Sequence, residues 1–305
     1  MLVFSTSWNA FRYTTAKDML FEIKELGFSE LELSFNLTSS MVEEIASLLI
    51  PMGLKVITVH NFCPCPEILE RQKALPDCFS LSSLQKEERE LAIRFTKRTI
   101  DTAYSLGAKG VVLHCGRVEI EDCTKELIRL WESKEDQTQF LKLQEDLIAR
   151  RKSRAQRHLE SLFSSLDEIS LYAQKKNVFL GVENRFYYSE IPTFEEIGII
   201  LNKYKDRNIF YWHDVGHAVV MQRLGFVEKE DDFLKAYSSF MVGAHLHNII
   251  GCRDHQSLKK GEIDFLKFRP YFKKSLLKVL EVHSFVEVKD IVEDKKFIEK
   301  NFCDS

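Results

Sequence analysis

Residues 178–186, VFLGVENRF, and residues 209–218, IFYWHDVGHA, decide the reading of the fold. Each is a short run of β-branched and aromatic residues that stops on a carboxylate, Glu183 in one and Asp214 in the other, and the second run adds His217 three residues later. A strand buried on both faces has no packing use for a carboxylate at its end. Two runs that finish in the same way imply strands aimed at a common point.

Six more runs of the same kind lie outside this pair: LVFSTSW at 2–8, ELELSF at 30–35, LKVITVH at 54–60, GVVLHC at 110–115, MVGAHLH at 241–247 and LKVLEVH at 277–283. Between them lie amphipathic segments with a 3.6-residue period. One shows an apolar stripe at Ala92, Phe95, Thr99, Ile100, Ala103 and Leu106, with Glu and Lys on its other face. Capping boxes are expected at Ser40 with Glu43 and at Thr193 with Glu196. Gly27, Gly53 and Gly107 stand where helix gives way to strand. Eight strand-helix units predict an α/β fold, a parallel eight-stranded (β/α)8 TIM barrel, rather than a doubly wound sheet, which usually has fewer strands and a glycine-rich phosphate turn. Neither GxGxxG nor GxxxxGK[ST] occurs. With no internal repeat and no Gly/Ser/Pro linker, residues 1–305 are expected to form one domain.

Two connections exceed an ordinary βα loop. Residues 62–84 are rich in Pro and Cys, and 117–155 form a strongly charged helical insertion; they follow the third and fourth strands. Both therefore belong to the C-terminal face, where barrel active sites sit. Cys63, Cys65 and Cys78 lack the paired CxxC spacing of a zinc site and are expected to be loop residues.

Composition excludes several classes. The chain has 305 residues, 45% hydrophobic and 29% charged, with a formal net charge of -3. No Lys/Arg-dense arm gives it the footprint of a general nucleic-acid binder, so such a partner is not expected. No cationic leader and no membrane-length apolar run occur, and the expected location is cytoplasmic. Seven cysteines at irregular spacing predict reduced thiols.

The strand ends carry the chemistry. His60 ends the third run, His114 the fourth, Glu183 the fifth, Asp214 the sixth and His245 the seventh, and Glu281 lies in the eighth. Asp, Glu and His together make up under a fifth of the chain, so six such ends are more than composition supplies. In a closed barrel these ends converge. Three carboxylates brought together would repel and take up protons unless a cation lies between them. A mixed set of carboxylates and imidazole suits divalent Mn, Zn, Co or Mg, with no thiolate to select zinc.

These motifs, above all GVENRF, DVGHA and HLHNIIGCRDHQSLKKGEID, resemble the xylose-isomerase-like barrels, a superfamily that also contains abasic-site endonucleases of the endonuclease IV type (AP endonuclease family 2). The resemblance covers nearly the whole chain. It implies one metal held by Glu183, Asp214, His245 and Glu281, with Glu183 and Glu281 shuttling a proton on opposite faces of a carbon next to a carbonyl. His217 would reach a substrate oxygen, Arg185 a hydroxyl or phosphate, and Trp8 or Tyr187 would stack on a sugar face. The implied activity is a sugar or sugar-phosphate isomerase or epimerase.

The nuclease branch supplies the alternative, in which further metals would use His60, His114, His217 and His255. There the sequence departs from the pattern: Arg253 stands two before His255 where an Asp is expected, and Asp254 is adjacent instead, which puts a third metal in doubt. A barrel that binds a ligand without turning it over is a third reading. His213 and His247 have the opposite strand phase and are expected to face the helices or to hydrogen-bond in the barrel wall. His158 and His283 receive no role. The sequence is compatible with a homo-oligomer.

Overall fold

A computed structural model describes residues 1–303. Ten strands occur among them: β1 (Leu2–Ser5), β2 (Glu30–Leu33), β3 (Lys55–His60), β4 (Gly110–Leu113), β5 (Phe179–Glu183), β6 (Ile209–Asp214), β7 (Met241–Leu246), β8 (Asn248–Ile250), β9 (Arg253–Gln256) and β10 (Leu277–Leu280). Eight of them close into a barrel in the order β1-β10-β7-β6-β5-β4-β3-β2, every pairing parallel. This is the (β/α)8 barrel that the eight runs predicted. The remaining two, β8 and β9, make a small antiparallel hairpin directly after β7.

The outer layer is built from α1 (Ala16–Glu25), α2 (Ser39–Met52), α3 (Lys86–Ser105), α4 (Thr124–Ser133), α5 (Gln137–Lys175), α6 (Phe194–Lys203), α7 (Val215–Arg223), α8 (Asp232–Tyr237) and α9 (Val288–Ile298). The stripe expected on α3 is the face it buries, through Ala92, Phe95, Thr99, Ile100 and Ala103. Thr193 and Glu196 form the expected capping box at the start of α6. The one expected at Ser40 is not formed: the cap of α2 is Thr38, whose extended backbone frees its hydroxyl to accept from Met41 N–H, while Ser40 is already helical. None of the described helices is long and apolar enough to cross a membrane.

The barrel lumen is filled at its lower end by Val3, Ile57, Val112, Trp212, Leu277 and Val279. The indole of Trp212 fits only because its neighbours in β5 and β7 are glycines. A Cβ at Gly181 would lie 3.1 Å from that ring, and one at Gly243 only 2.0 Å.

Both long connections end up on the C-terminal face. Residues 62–84 run as irregular chain with one short turn at Arg71–Lys73, and their inner part is buried through Phe62, Cys63 and Cys65. The charged insertion is helical as expected. It consists of α4 and the first half of α5, a single helix of 39 residues whose second half is the barrel's own covering helix. Arg151 on α5 is buried, chelates Glu196 through both of its terminal nitrogens and donates to the carbonyls of Tyr188 and Glu190. The insertion thereby fixes the loop after β5 that carries Arg185 and Tyr187.

Candidate metal centre and active site

The carboxylate strand ends meet where the apolar filling stops. Trp212 and Asp214 alternate on β6, and Val279 is followed two residues later by Glu281, just beyond the end of β10, so the inward phase that packs the floor continues upward into polar groups. Glu183, Asp214, His245 and Glu281 are all buried, and each offers a ligating atom within 4.8 Å of the others. His245 is the hub: its Nδ1 lies 2.5 Å from Glu183 Oε1, 3.0 Å from Glu281 Oε2 and 3.8 Å from Asp214 Oδ2.

Electrostatics follow from this crowding. Burial works against charge on every member, yet the surrounding carboxylates Glu281, Glu32 and Glu183 hold the His245 imidazolium well above its usual pKa. Burial likewise opposes ionisation of Asp214, but His217 and His247 hold it down to about 2. Glu183 and Glu281 are also held well below the ordinary carboxylate range against burial, both by His245, with His114 and His255 respectively adding to it. The proton on His245 thus does what a divalent ion would do better: it neutralises three converging carboxylates.

Each ligand is braced. Asp214 caps α7, accepting from His217 N–H at 2.7 Å. Its backbone is clasped by the Asn184 side chain, which accepts from Asp214 N–H at 2.8 Å and donates to Asp214 O at 2.9 Å. Asn184 carries no signal in the sequence beyond standing next to Glu183.

Several expectations are corrected here. His247 does not face the helices: β7 ends at Leu246, the strand phase lapses, and His247 Nε2 lies 3.0 Å from both Asp214 oxygens. Gly216 leaves the room for it, since a Cβ there would come within 2.1 Å of the His247 ring. His213 does keep the outward phase, pairing with Tyr211 Oη and held by burial down to about 3. His283 lines the cavity and stacks on His255 with ring centroids 3.9 Å apart. Trp8 is not a stacking platform: it is buried, donates Nε1–H to Val286 O and carries Arg12 on its face. His158 is buried between Ser82 O and Glu119 N–H, in a structural place.

Arg185 is likewise not a free clamp. Its Nη1 lies 2.5 Å from Glu183 Oε2 and 2.5 Å from His114 Nε2, and its Nη2 reaches Glu190 Oε1 at 2.9 Å and Asp77 Oδ2 at 3.4 Å. Asp77 comes from the 62–84 connection and also holds His114 Nδ1 at 3.0 Å. His60, His114 and Glu183 do form a second group of potential ligands within 4.8 Å, but the guanidinium already sits against two of the three.

Asp254, out of register with the expected pattern, still reaches its neighbours. It lies 3.6 Å from His217 Nε2 and 3.2 Å from His255 Nδ1, because His255 adopts a left-handed backbone with φ 54° and turns both side chains to one side. The cavity above the centre measures about 620 Å³ and includes His60, His114, Tyr187, His217, Asp254 and His255 in its wall, beside Glu183 and Glu281. Cys63, Cys65 and Cys78 are free and belong to none of the potential ligand groups among the described residues.

Active sites of parallel barrels sit at the C-terminal mouth, which is where this carboxylate-histidine cluster lies. The chain belongs to the xylose isomerase-like TIM barrel family, whose description matches residues 20–283. Among solved structures it resembles an L-ribulose 3-epimerase at 15% identity, with a TM-score of 0.70 over 99% of this chain and 94% of the other. It also resembles a D-tagatose 3-epimerase-like protein at 17% identity, TM-score 0.65, over 98% and 96%. A 3-keto-D-glucoside 4-epimerase from E. coli aligns at 14% identity, TM-score 0.66, over 98% of each chain. At these identities the likeness establishes the fold. No curated protein sequence matches the chain.

Proposed function

We propose that this protein is a divalent-metal-dependent isomerase or epimerase of a neutral sugar, working by proton transfer at a carbon next to a carbonyl. The observation that carries it is the buried quartet Glu183, Asp214, His245 and Glu281, whose ligating atoms lie within 4.8 Å of one another at the floor of an open cavity. Three carboxylates and one imidazole in that space fit a divalent cation, and these four residues would hold it. Such an ion, when bound, supplies electrophilic polarisation of a substrate carbonyl.

The chain's own groups do the rest. Glu183 and Glu281 both open onto the cavity and are placed to take and return a proton through a carboxylate oxygen. Glu183 Oε2 is engaged by Arg185 and His114, which leaves Glu281, met by His245 and, at 3.7 Å, by His255, as the less encumbered proton carrier. His217 Nε2 faces the cavity beside Asp254 and can bind a hydroxyl. Tyr187 offers an aromatic wall for a sugar face.

Two features refine the reading. Five carboxylates line the cavity, Asp77, Glu183, Glu190, Asp254 and Glu281, against the single guanidinium of Arg185, which is already shared among three of them, and no lysine. The cationic wall histidines His114, His217 and His255 are each already set against a carboxylate, so a phosphate monoester would find little free counter-charge there, and a neutral sugar fits better than a sugar phosphate. The structures it resembles are named as sugar epimerases, which supports the same class. The hydrolase reading is favoured by the grouping of Asp214, His217, His247 and His255, whose ligand atoms lie within 4.8 Å of one another, with Asp254 beside it; it also needs a cation among His60, His114 and Glu183, where Arg185 sits.

Incubation with Mn or Co and a panel of ketoses in deuterated water tests the proposal. Deuterium should appear at the carbon that changes configuration, or the second epimer should accumulate if the proton is shielded. Metal-dependent incision of abasic DNA without conversion of any sugar would replace this reading with the hydrolytic one.

A further inference from the structure

Glu32 is a carboxylate that no site reading uses. It lies on β2, three strands round the barrel from β7 by way of β10 and β1, with its side chain fully buried. Burying a carboxylate is expensive, several kcal/mol by the usual scale, and replacing one by an apolar side chain often stabilises a core. Packing therefore gives no reason for it. Its contacts do: Glu32 Oε1 lies 3.0 Å from His245 Nε2, and Oε2 accepts from Thr58 Oγ1 at 2.9 Å. No lysine or arginine pairs with it, and His245 is its ion-pair partner.

The His245 ring is thus held at both ends. Its Nδ1 turns toward Glu183, Glu281 and Asp214, and its Nε2 points away from them to Glu32. Trp212 stands edge-on to the ring at 5.2 Å and His60 lies parallel to it at 6.0 Å, which leaves rotation about the ring axis to be set by the hydrogen bond. A neutral imidazole carries one N–H, and the partner of one nitrogen decides which lone pair the other presents.

The geometry points to Glu32 as a positioning residue: it accepts the Nε2–H of His245, fixes that tautomer, and aims the Nδ1 lone pair at a divalent cation held with Glu183, Asp214 and Glu281. Thr58 in turn anchors Glu32. This rests on the metal-dependent reading above, but it assigns a role to a residue outside the ligand set. A carboxylate behind a ligating histidine typically contributes 10–100-fold in metal affinity.

The test is a calorimetric titration of the metal-free protein with Mn and Co, compared between wild type, Glu32→Gln and Thr58→Val. Glu32→Gln should weaken binding by about tenfold or more, should alter the visible absorption of the Co-loaded protein, and should leave the melting temperature of the metal-free protein unchanged or raised. Thr58→Val, which leaves both Glu32 and His245 in place, should weaken binding in the same direction by a smaller factor. A merely structural Glu32 would show the reverse: a lower melting temperature for the metal-free variant, with affinity and Co spectrum as in wild type. That outcome overturns the assignment. If the wild type itself binds neither ion, the metal-dependent reading falls and the role of Glu32 with it; if the wild type binds and both variants match it, only the positioning role falls.

Discussion

Trp212 and Asp214 stand two residues apart on β6, point into the same barrel, and occupy different media. Around Trp212 the lumen is dry and made of Val3, Ile57, Val112, Leu277 and Val279. Around Asp214, a few ångströms higher, it holds Glu183, His245, His247 and Glu281. The same strands supply both layers, because a period of two keeps every second residue inward. On the proposed function, stability resides in the lower layer and chemistry in the upper, and a substitution in one should leave the other's readout alone.

The sharpest challenge to that division is Glu281→Gln. The strand is held by Leu277, Val279, Leu280 and Val282, all buried, so folding should be little changed. Turnover should fall by roughly 10²–10⁴-fold, the scale of a general acid-base group. An active but destabilised variant, seen by measuring melting temperature and rate on one preparation, would place Glu281 in the structural layer instead. Trp212→Ala is the converse. It should lower stability by about 3–5 kcal/mol in chemical denaturation, as large aromatic truncations do, while the folded fraction keeps its metal stoichiometry.

Within the upper layer, Arg185 separates a one-metal centre from a larger one. Removing its charge in Arg185→Ala leaves Asp77, Glu183 and Glu190 with only the His114 imidazole to balance them. Elemental analysis should then find a second divalent ion per chain, where wild type holds one. A wild type that already carries three ions would show that the guanidinium excludes nothing. A smaller effect belongs to the floor: Gly243→Ala drives a methyl group into Trp212 and should cost about 1–3 kcal/mol, the range for overpacking, without loss of turnover per folded molecule.

A separate lever is pH acting on the outer wall. Burial holds His213 down to about 3, below its unfolded value near 6.5. Unfolding between those values takes up a proton, so this residue's contribution is present above pH ~6.5 and is lost as pH falls, at up to about 1.4 kcal/mol per pH unit. His213→Gln should flatten the acid limb of the stability profile and leave metal binding unchanged; an unaltered acid limb would mean that His213 does not titrate on unfolding.

Sequence alone determined the class of fold and the principal cluster. Eight alternations of β-branched runs with amphipathic segments leave few architectures, and a carboxylate or imidazole at a strand end stands out because packing never asks for one. His60, His114, Glu183, Asp214, His245 and Glu281 were legible for that reason, the family resemblance singled out four of them as one ligand set, and the helical insertion and the cap at Thr193 followed from local pattern. What the sequence could not give depends on distances across the barrel. Glu32 and Asn184 look like ordinary residues of their segments until β2 and β7, or β5 and β6, are set beside one another. His247 was misplaced because strand phase stops carrying information once the strand has ended. The resemblance offered Trp8 and Arg185 as ligand contacts, with a salt-bridged rim place as the alternative for Arg185; burial and ion pairing, properties of the assembled structure, gave Trp8 a bond to Val286 and Arg185 its ring of carboxylates. Periodicity is local and is written in one dimension; which nitrogen of an imidazole faces which carboxylate is fixed only when strands far apart in the chain close on the same axis.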